Sequence, residues 1–159
     1  MVRGSGGPVR TILMIGDSLT YVNDMDKRLR SLGLAAGVVD SPEQLVVERV
    51  VKGGAPLSRL WRRTKAKQAV KGGVGWATRD KKAPVVPWDL VIVQEDLPET
   101  DLATFRLFAR KFHEVAAAAG SAVLFLATWS YDRLATPPIT LAFCRTRLAL
   151  IVDSCDVEM

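Results

Sequence analysis

Apolar residues along the chain fall into two alternating patterns, short unbroken runs and longer stretches with helical spacing. Thr11-Ile-Leu-Met-Ile15 is an unbroken run ended by Gly16, as expected of a strand buried on both faces. After a polar loop, Met25, Leu29, Leu32 and Ala36 recur at helical spacing between Asp24 and Ala36. Pro42 breaks the chain, and Gln44 to Val51 forms a Val-rich second strand ended by Gly53-Gly54. Leu57, Leu60, Trp61 and Thr64 mark a second amphipathic helix whose opposite face is basic. Gly72-Gly-Val-Gly75 and the segment from Trp76 to Pro87 read as a long, flexible loop. Asp89-Leu-Val-Ile-Val93 is the third strand, with Pro98 closing its exit. Thr100 or Asp101 caps a long helix that runs to Ala119 and stops at Gly120, and Ala122 to Ala127 is the fourth strand. Beyond Tyr131 the pattern weakens, and Ile139 to Val152, after Pro137-Pro138, reads as one helix or as a helix plus a short strand.

This alternation predicts an α/β fold, a three-layer α/β/α arrangement with a flavodoxin-like parallel sheet. Residues 1–10 are expected to be a flexible, Gly-rich N-terminus and residues 11–159 a single domain. A doubly wound sheet usually adds a fifth strand and a closing helix, so the weak pattern over 132–159 reads as a C-terminally incomplete version. The 48% hydrophobic and 25% charged content excludes a disordered chain. A net charge of +5 favours anionic surroundings only weakly. Cys144 and Cys155 supply neither a disulfide framework nor metal-ligand spacing, which points to a reducing compartment. With no leader-like or membrane-spanning apolar run in view, a cytoplasmic protein is expected.

Ligands of open parallel sheets bind at the carboxyl ends of the strands. The strand ends here deliver Gly16-Asp17-Ser18, Gly53-Gly54, Gln94-Glu95-Asp96 and Thr128-Trp129-Ser130, all glycine or hydrogen-bonding residues with the single exception of Trp129. In Ile15-Gly-Asp-Ser-Leu-Thr20, the glycine lets the chain turn sharply and places Ser18 near the start of a helical turn. A hydroxyl there can meet a carbonyl carbon while backbone N–H groups stabilise the oxyanion. Equally, Asp17 or Ser18 could simply cap a helix.

Gly16-Asp-Ser-Leu19 after a buried N-terminal strand resembles the first sequence block of the SGNH (GDSL-type) hydrolases. Val50-Val-Lys-Gly-Gly-Ala-Pro-Leu57 resembles the second block, and Trp88-Asp-Leu-Val-Ile-Val-Gln-Glu-Asp96 the third. The resemblance covers Thr11 to Tyr131, in order and in spacing. It implies a catalytic Ser18 preceded by Asp17, and an oxyanion hole built from the Ser18 N–H and the Gly54 N–H, with Gly53 as the other register. The family's third block usually reads Gly-x-Asn-Asp. In this chain Gln94 is the residue able to donate in place of Asn; it could also be a solvated loop residue. Asp96 and Trp129 are candidate pocket residues, Trp129 equally a packing residue beneath the loops.

The family's fourth block, Asp-x-x-His near the C-terminus, has no counterpart. The single histidine, His113, lies beside the apolar stripe of the long helix and reads as structural. Asp153-Ser-Cys-Asp156 carries Asp where the base should stand, and a carboxylate is a far weaker base near neutral pH. The expectation is an SGNH-like serine ester hydrolase acting on a small-molecule ester or an acylated carbohydrate, of weak or no activity without its base. A non-catalytic binding module, a pseudoenzyme or truncated form, is the alternative, and a nucleotide or phosphate binder using the glycine turns is a third. No metal or organic cofactor, nucleic-acid partner or membrane span is expected. The cations from Arg59 to Lys82 read as a solvated helix face, or as an attraction for an anionic ligand, a membrane surface or nucleic acid.

Overall fold

The structure, a computed structural model, describes residues 9–96 and 100–126. Trp129, both cysteines, Asp153 to Asp156 and the whole of 132–159 lie outside the described residues. Among the described residues the sheet has four strands, all parallel, in the order β2-β1-β3-β4, with β1 at Thr11–Gly16, β2 at Val46–Val51, β3 at Leu90–Gln94 and β4 at Ala122–Leu126. The chain thus leaves β1 for one edge and returns to β1's other side. That reversal falls between β1 and β3, at whose carboxyl ends open parallel sheets bind their ligands.

Because β1 is internal, both of its faces need covering, and its residues alternate between two cores. Leu13 and Ile15, both 0% exposed, join Val91, Val93 and Trp88 beneath α3 (Leu57–Arg63), α4 (Ala66–Gly72) and α5 (Leu102–Ala118). Ile12 and Met14 join Val39, Leu45, Val47 and Ile92 on the other face, where α2 (Met25–Ala35) contributes Met25 and Leu29. The three-layer α/β/α architecture expected from the sequence is present. No helix among the described residues is long and apolar enough to cross a membrane.

Local chemistry explains where the elements differ from the sequence pattern. Leu32 belongs to the apolar series on α2, yet it is 63% exposed. The face turned to the sheet runs instead through Met25, Leu29 and Gly33, and a Cβ on Gly33 would stand 3.2 Å from Leu45 Cδ2. Pro42–Gln44 forms a 3-10 turn, so β2 starts at Val46. The second amphipathic helix ends at Arg63, and α4, absent from the sequence reading, follows after Thr64 accepts the Ala66 N–H. The Gly72–Gly75 loop is tied down: Val74 N–H donates to Val86 O at 2.9 Å, and Gly75 N–H to Glu48 Oε1 at 2.9 Å. Asp101, not Thr100, caps α5 by accepting the Thr104 N–H at 2.8 Å. That bond and the Thr104 hydroxyl hold the Asp101 carboxyl below its ordinary value. A lowered carboxyl stabilises above its unfolded pKa, and the contribution is lost as pH falls through the folded one.

Side chains fasten β1 to β3 at the lower edge. Asp89 Oδ2 accepts the N–H groups of Arg10 and Thr11, each at 2.9 Å, and the Thr11 hydroxyl at 3.0 Å, while Asp89 N–H donates back to Thr11 Oγ1 at 2.9 Å. Trp88, fully buried, donates its indole N–H to Ala69 O at 3.0 Å and so docks α4 beside the start of β3.

Replacing Leu13 by Ala in this closed layer is expected to cost about 2–5 kcal/mol in urea unfolding. Leu32→Ala, on the exposed side of α2, is expected to change stability by no more than about 0.5 kcal/mol.

Candidate active site

The site is built on the exit of β1. Two residues after Gly16 closes the strand, the short helix α1 (Ser18–Tyr21) begins. Asp17 is its N-cap: the side chain, 2% exposed, accepts the Leu19 N–H through Oδ1 at 2.8 Å. Ser18 is thereby the first residue of the helical turn, half-buried, and its carbonyl accepts the Val22 N–H. Asp17 performs the capping task that the sequence left open to it, and Ser18 does not.

Gln94, the last residue of β3, joins this turn to the neighbouring strand. Its Oε1 accepts the Asp17 N–H at 3.1 Å and the Thr20 hydroxyl at 2.8 Å, and its Nε2 donates to Glu95 O at 2.8 Å. A backbone N–H must meet an acceptor, so these partners fix which way the amide points. Gln94 and Thr20 are each 1% exposed. Gln94 is therefore a buried strand-end residue and not a solvated loop residue. Gly16 is required here by space: a Cβ on it would fall on Thr20 Oγ1 and stand 2.7 Å from Gln94 Oε1.

The exit of β2 reaches the same edge. Lys52 N–H donates to Gly16 O at 3.1 Å, which carries the chain into the exposed Gly53-Gly54 turn. Gly54 has a φ of 59°, in the left-handed region that glycine adopts without strain. Asp96 Oδ2 stands 4.0 Å from where its Cβ would be, and Tyr21 Oη 3.0 Å from where that of Gly53 would be. Glu95 Oε1 accepts the Leu57 N–H and the Asp96 N–H, each at 2.9 Å, linking the β3 exit to the start of α3. Arg59 on α3 donates from Nη1 to Gly54 O at 2.9 Å. Asp17, Glu95 and Asp96 are all buried at this edge.

The structure therefore brings Asp17, Ser18, Gly53, Gly54, Gln94 and Asp96 to one edge of the sheet. His113 is not part of it. From that edge, α5 returns toward the opposite one, where Ala122 pairs with Leu90. At about 1.5 Å per residue, His113 lies roughly 16 Å along the helix from Leu102, and it is half-buried. Thr20 and Tyr21 were not singled out by the sequence, and Arg59 was read only as one cation of the basic run. Tyr21 could have been, since it follows Ser18 by three positions and so shares its side of a helical turn.

No protein-family model matches the chain, and no curated protein matches it. Among solved structures, a protein from Slackia heliotrinireducens, provisionally named an SGNH hydrolase, superposes with a TM-score of 0.58 at 23% identity. The match covers 92% of this chain and 73% of that one. The fold is SGNH-hydrolase-like.

Gln94→Leu removes the acceptor of a buried N–H and a buried hydroxyl at nearly constant volume. It is expected to lower stability by about 1–3 kcal/mol in urea unfolding, with Thr20→Val near the lower end of that range.

Proposed function

We propose that this chain is an SGNH-like ester hydrolase of low turnover, acting on a small acyl ester or an acetylated carbohydrate through Ser18. The observation that supports this reading most is the placing of Ser18: half-buried, first in α1 beside a buried capping carboxylate, on the edge that also carries the Gly53-Gly54 turn. In this reading the Ser18 oxygen attacks the ester carbonyl and the negative charge moves to the carbonyl oxygen. The N–H groups of Ser18 and Gly54 stabilise it, with Gly53 as the other register. Gln94 holds the turn through the contacts already described, and its second Nε2 hydrogen is what it could offer an oxyanion. Collapse breaks the ester C–O bond, the leaving alkoxide takes a proton from water to become the alcohol, and the acyl group left on Ser18 is removed by a second water as the free acid, restoring the hydroxyl. Asp96 and Tyr21 would border the ester near Gly54 and Gly53.

The hydroxyl proton has no imidazole to receive it at this edge, because the single histidine sits in α5. It passes to water or hydroxide, so the rate is limited by the lone nucleophile and oxyanion hole. Removing one triad member elsewhere leaves about 10³–10⁴-fold catalysis over water. The same placing of His113 favours the second reading, a binding module that keeps the scaffold without the chemistry.

Fluorophosphonate labelling followed by intact mass separates the two. Slow labelling of the folded protein that Ser18→Ala abolishes is the expected result, and a protein left unmodified after prolonged exposure would assign the binding reading. For an activated ester, the rate is expected to climb with hydroxide from about pH 6 to 8, without the inflection near 6.5 that an imidazole base imposes.

A further inference from the structure

The outer sides of α3, α4 and α5 form one basic layer. From Arg49 to Arg79 the sequence contains no Asp or Glu. Within that span α3 and α4 present Arg59, Arg62, Arg63 and Lys71 to solvent, joined by Lys65 between them and the half-buried Lys67. Alongside, α5 adds Arg106, Arg110 and Lys111, and Glu114 is the one carboxylate within the three helices. The ion pairs Lys27–Asp24, Arg30–Asp26 and Arg49–Asp26 all lie on the α2 side of the sheet. None joins a cation of α3, α4 or α5 among the described residues.

These cations are gathered and not dispersed. Arg62 from α3 and Lys111 from α5 each stand 5.0 Å from the centroid of the Phe108 ring. They are therefore no farther apart than one screening length, about 10 Å at 0.1 M salt. Lys67 stands 5.2 Å from the Trp61 ring, which meets Phe112 edge-on at 5.0 Å. The rings hold the charged groups themselves against the surface, which fixes the positions of Arg62, Lys67 and Lys111 in the layer. Like charges converging without a carboxylate repel one another, and a layer of negative charge laid over them relieves that repulsion.

We propose that this face docks on the surface of an anionic phospholipid bilayer. Two features favour a bilayer over a nucleic acid. The cations spread over the outward side of three helices packed on one another, matching a plane of charge. Phe108, the ring shared by Arg62 and Lys111, is 2% exposed and so offers no platform for a base to stack on. Leu107, 50% exposed between Arg106 and Arg110, supplies an apolar side chain that can enter the headgroup region. The contact is peripheral, electrostatic and independent of the chemistry at Ser18.

Vesicle co-sedimentation tests it. The full chain is expected to bind vesicles of phosphatidylcholine containing about one phosphatidylserine in three, to ignore pure phosphatidylcholine, and to dissociate as salt rises. Arg63→Gln with Arg110→Gln is expected to lower partitioning about thirtyfold, roughly fivefold for each cation removed. Lys27→Gln with Arg28→Gln makes the same charge change on α2 and is expected to leave binding near wild type, with circular dichroism confirming the fold of both pairs. Equal losses in the two pairs would overturn the proposal by reducing it to net charge. So would equal binding to neutral vesicles, or retention of a DNA duplex at an ionic strength where anionic vesicles are not bound.

Discussion

The pairing of β1 with β3 is the constraint on which the remainder of the molecule depends. Parallel strands cannot be joined by a tight turn, so nothing local in the chain fixes their register. Here the pair is clamped at both ends by side chains: Asp89 receives the start of β1, and Gln94 receives its exit. A slip by one residue would break both clamps and exchange the two cores, turning Leu13 and Ile15 toward α2. The upper clamp also sets the turn on which Ser18 stands, so stability and the candidate chemistry share one amide.

Much of this was legible in the sequence because parallel strands buried on both faces are written as unbroken apolar runs. Thr11 to Ile15 and Leu90 to Val93 needed no partner to be recognised, and Gly120 marked the end of α5. The less legible parts depend on tertiary contact. Gly33 faces the sheet because Leu45 approaches it closely, whereas hydrophobicity alone selects Leu32. The break between α3 and α4 rests on the Thr64 side chain, which no periodicity reports. At the strand ends, the glycine turns marked the edge where the structure places Asp17, Gly54 and Gln94 near one another. The bonds of Gln94 did not follow from its identity, since the same amide can face a ligand or a neighbouring strand.

The two halves of the candidate chemistry have unequal standing in this fold. In the proposed chemistry, nucleophile and oxyanion donors would come from the turns that end β1 and β2. A base has to be delivered by a separate segment, and the single histidine of this chain belongs to a helix leading away from those strand ends. A scaffold of this kind can retain the first half without the second.

Trp88 gives the molecule a built-in optical gauge. Its indole is sealed from water and tied to Ala69 O, where α4 meets the beginning of β3. Emission from that ring should lie toward the blue while the crossover is docked and shift red when water reaches it. Trp61 and Trp76 are already partly exposed, so in a Trp129→Phe variant a change in the blue component would register the loosening of this joint apart from the other two rings.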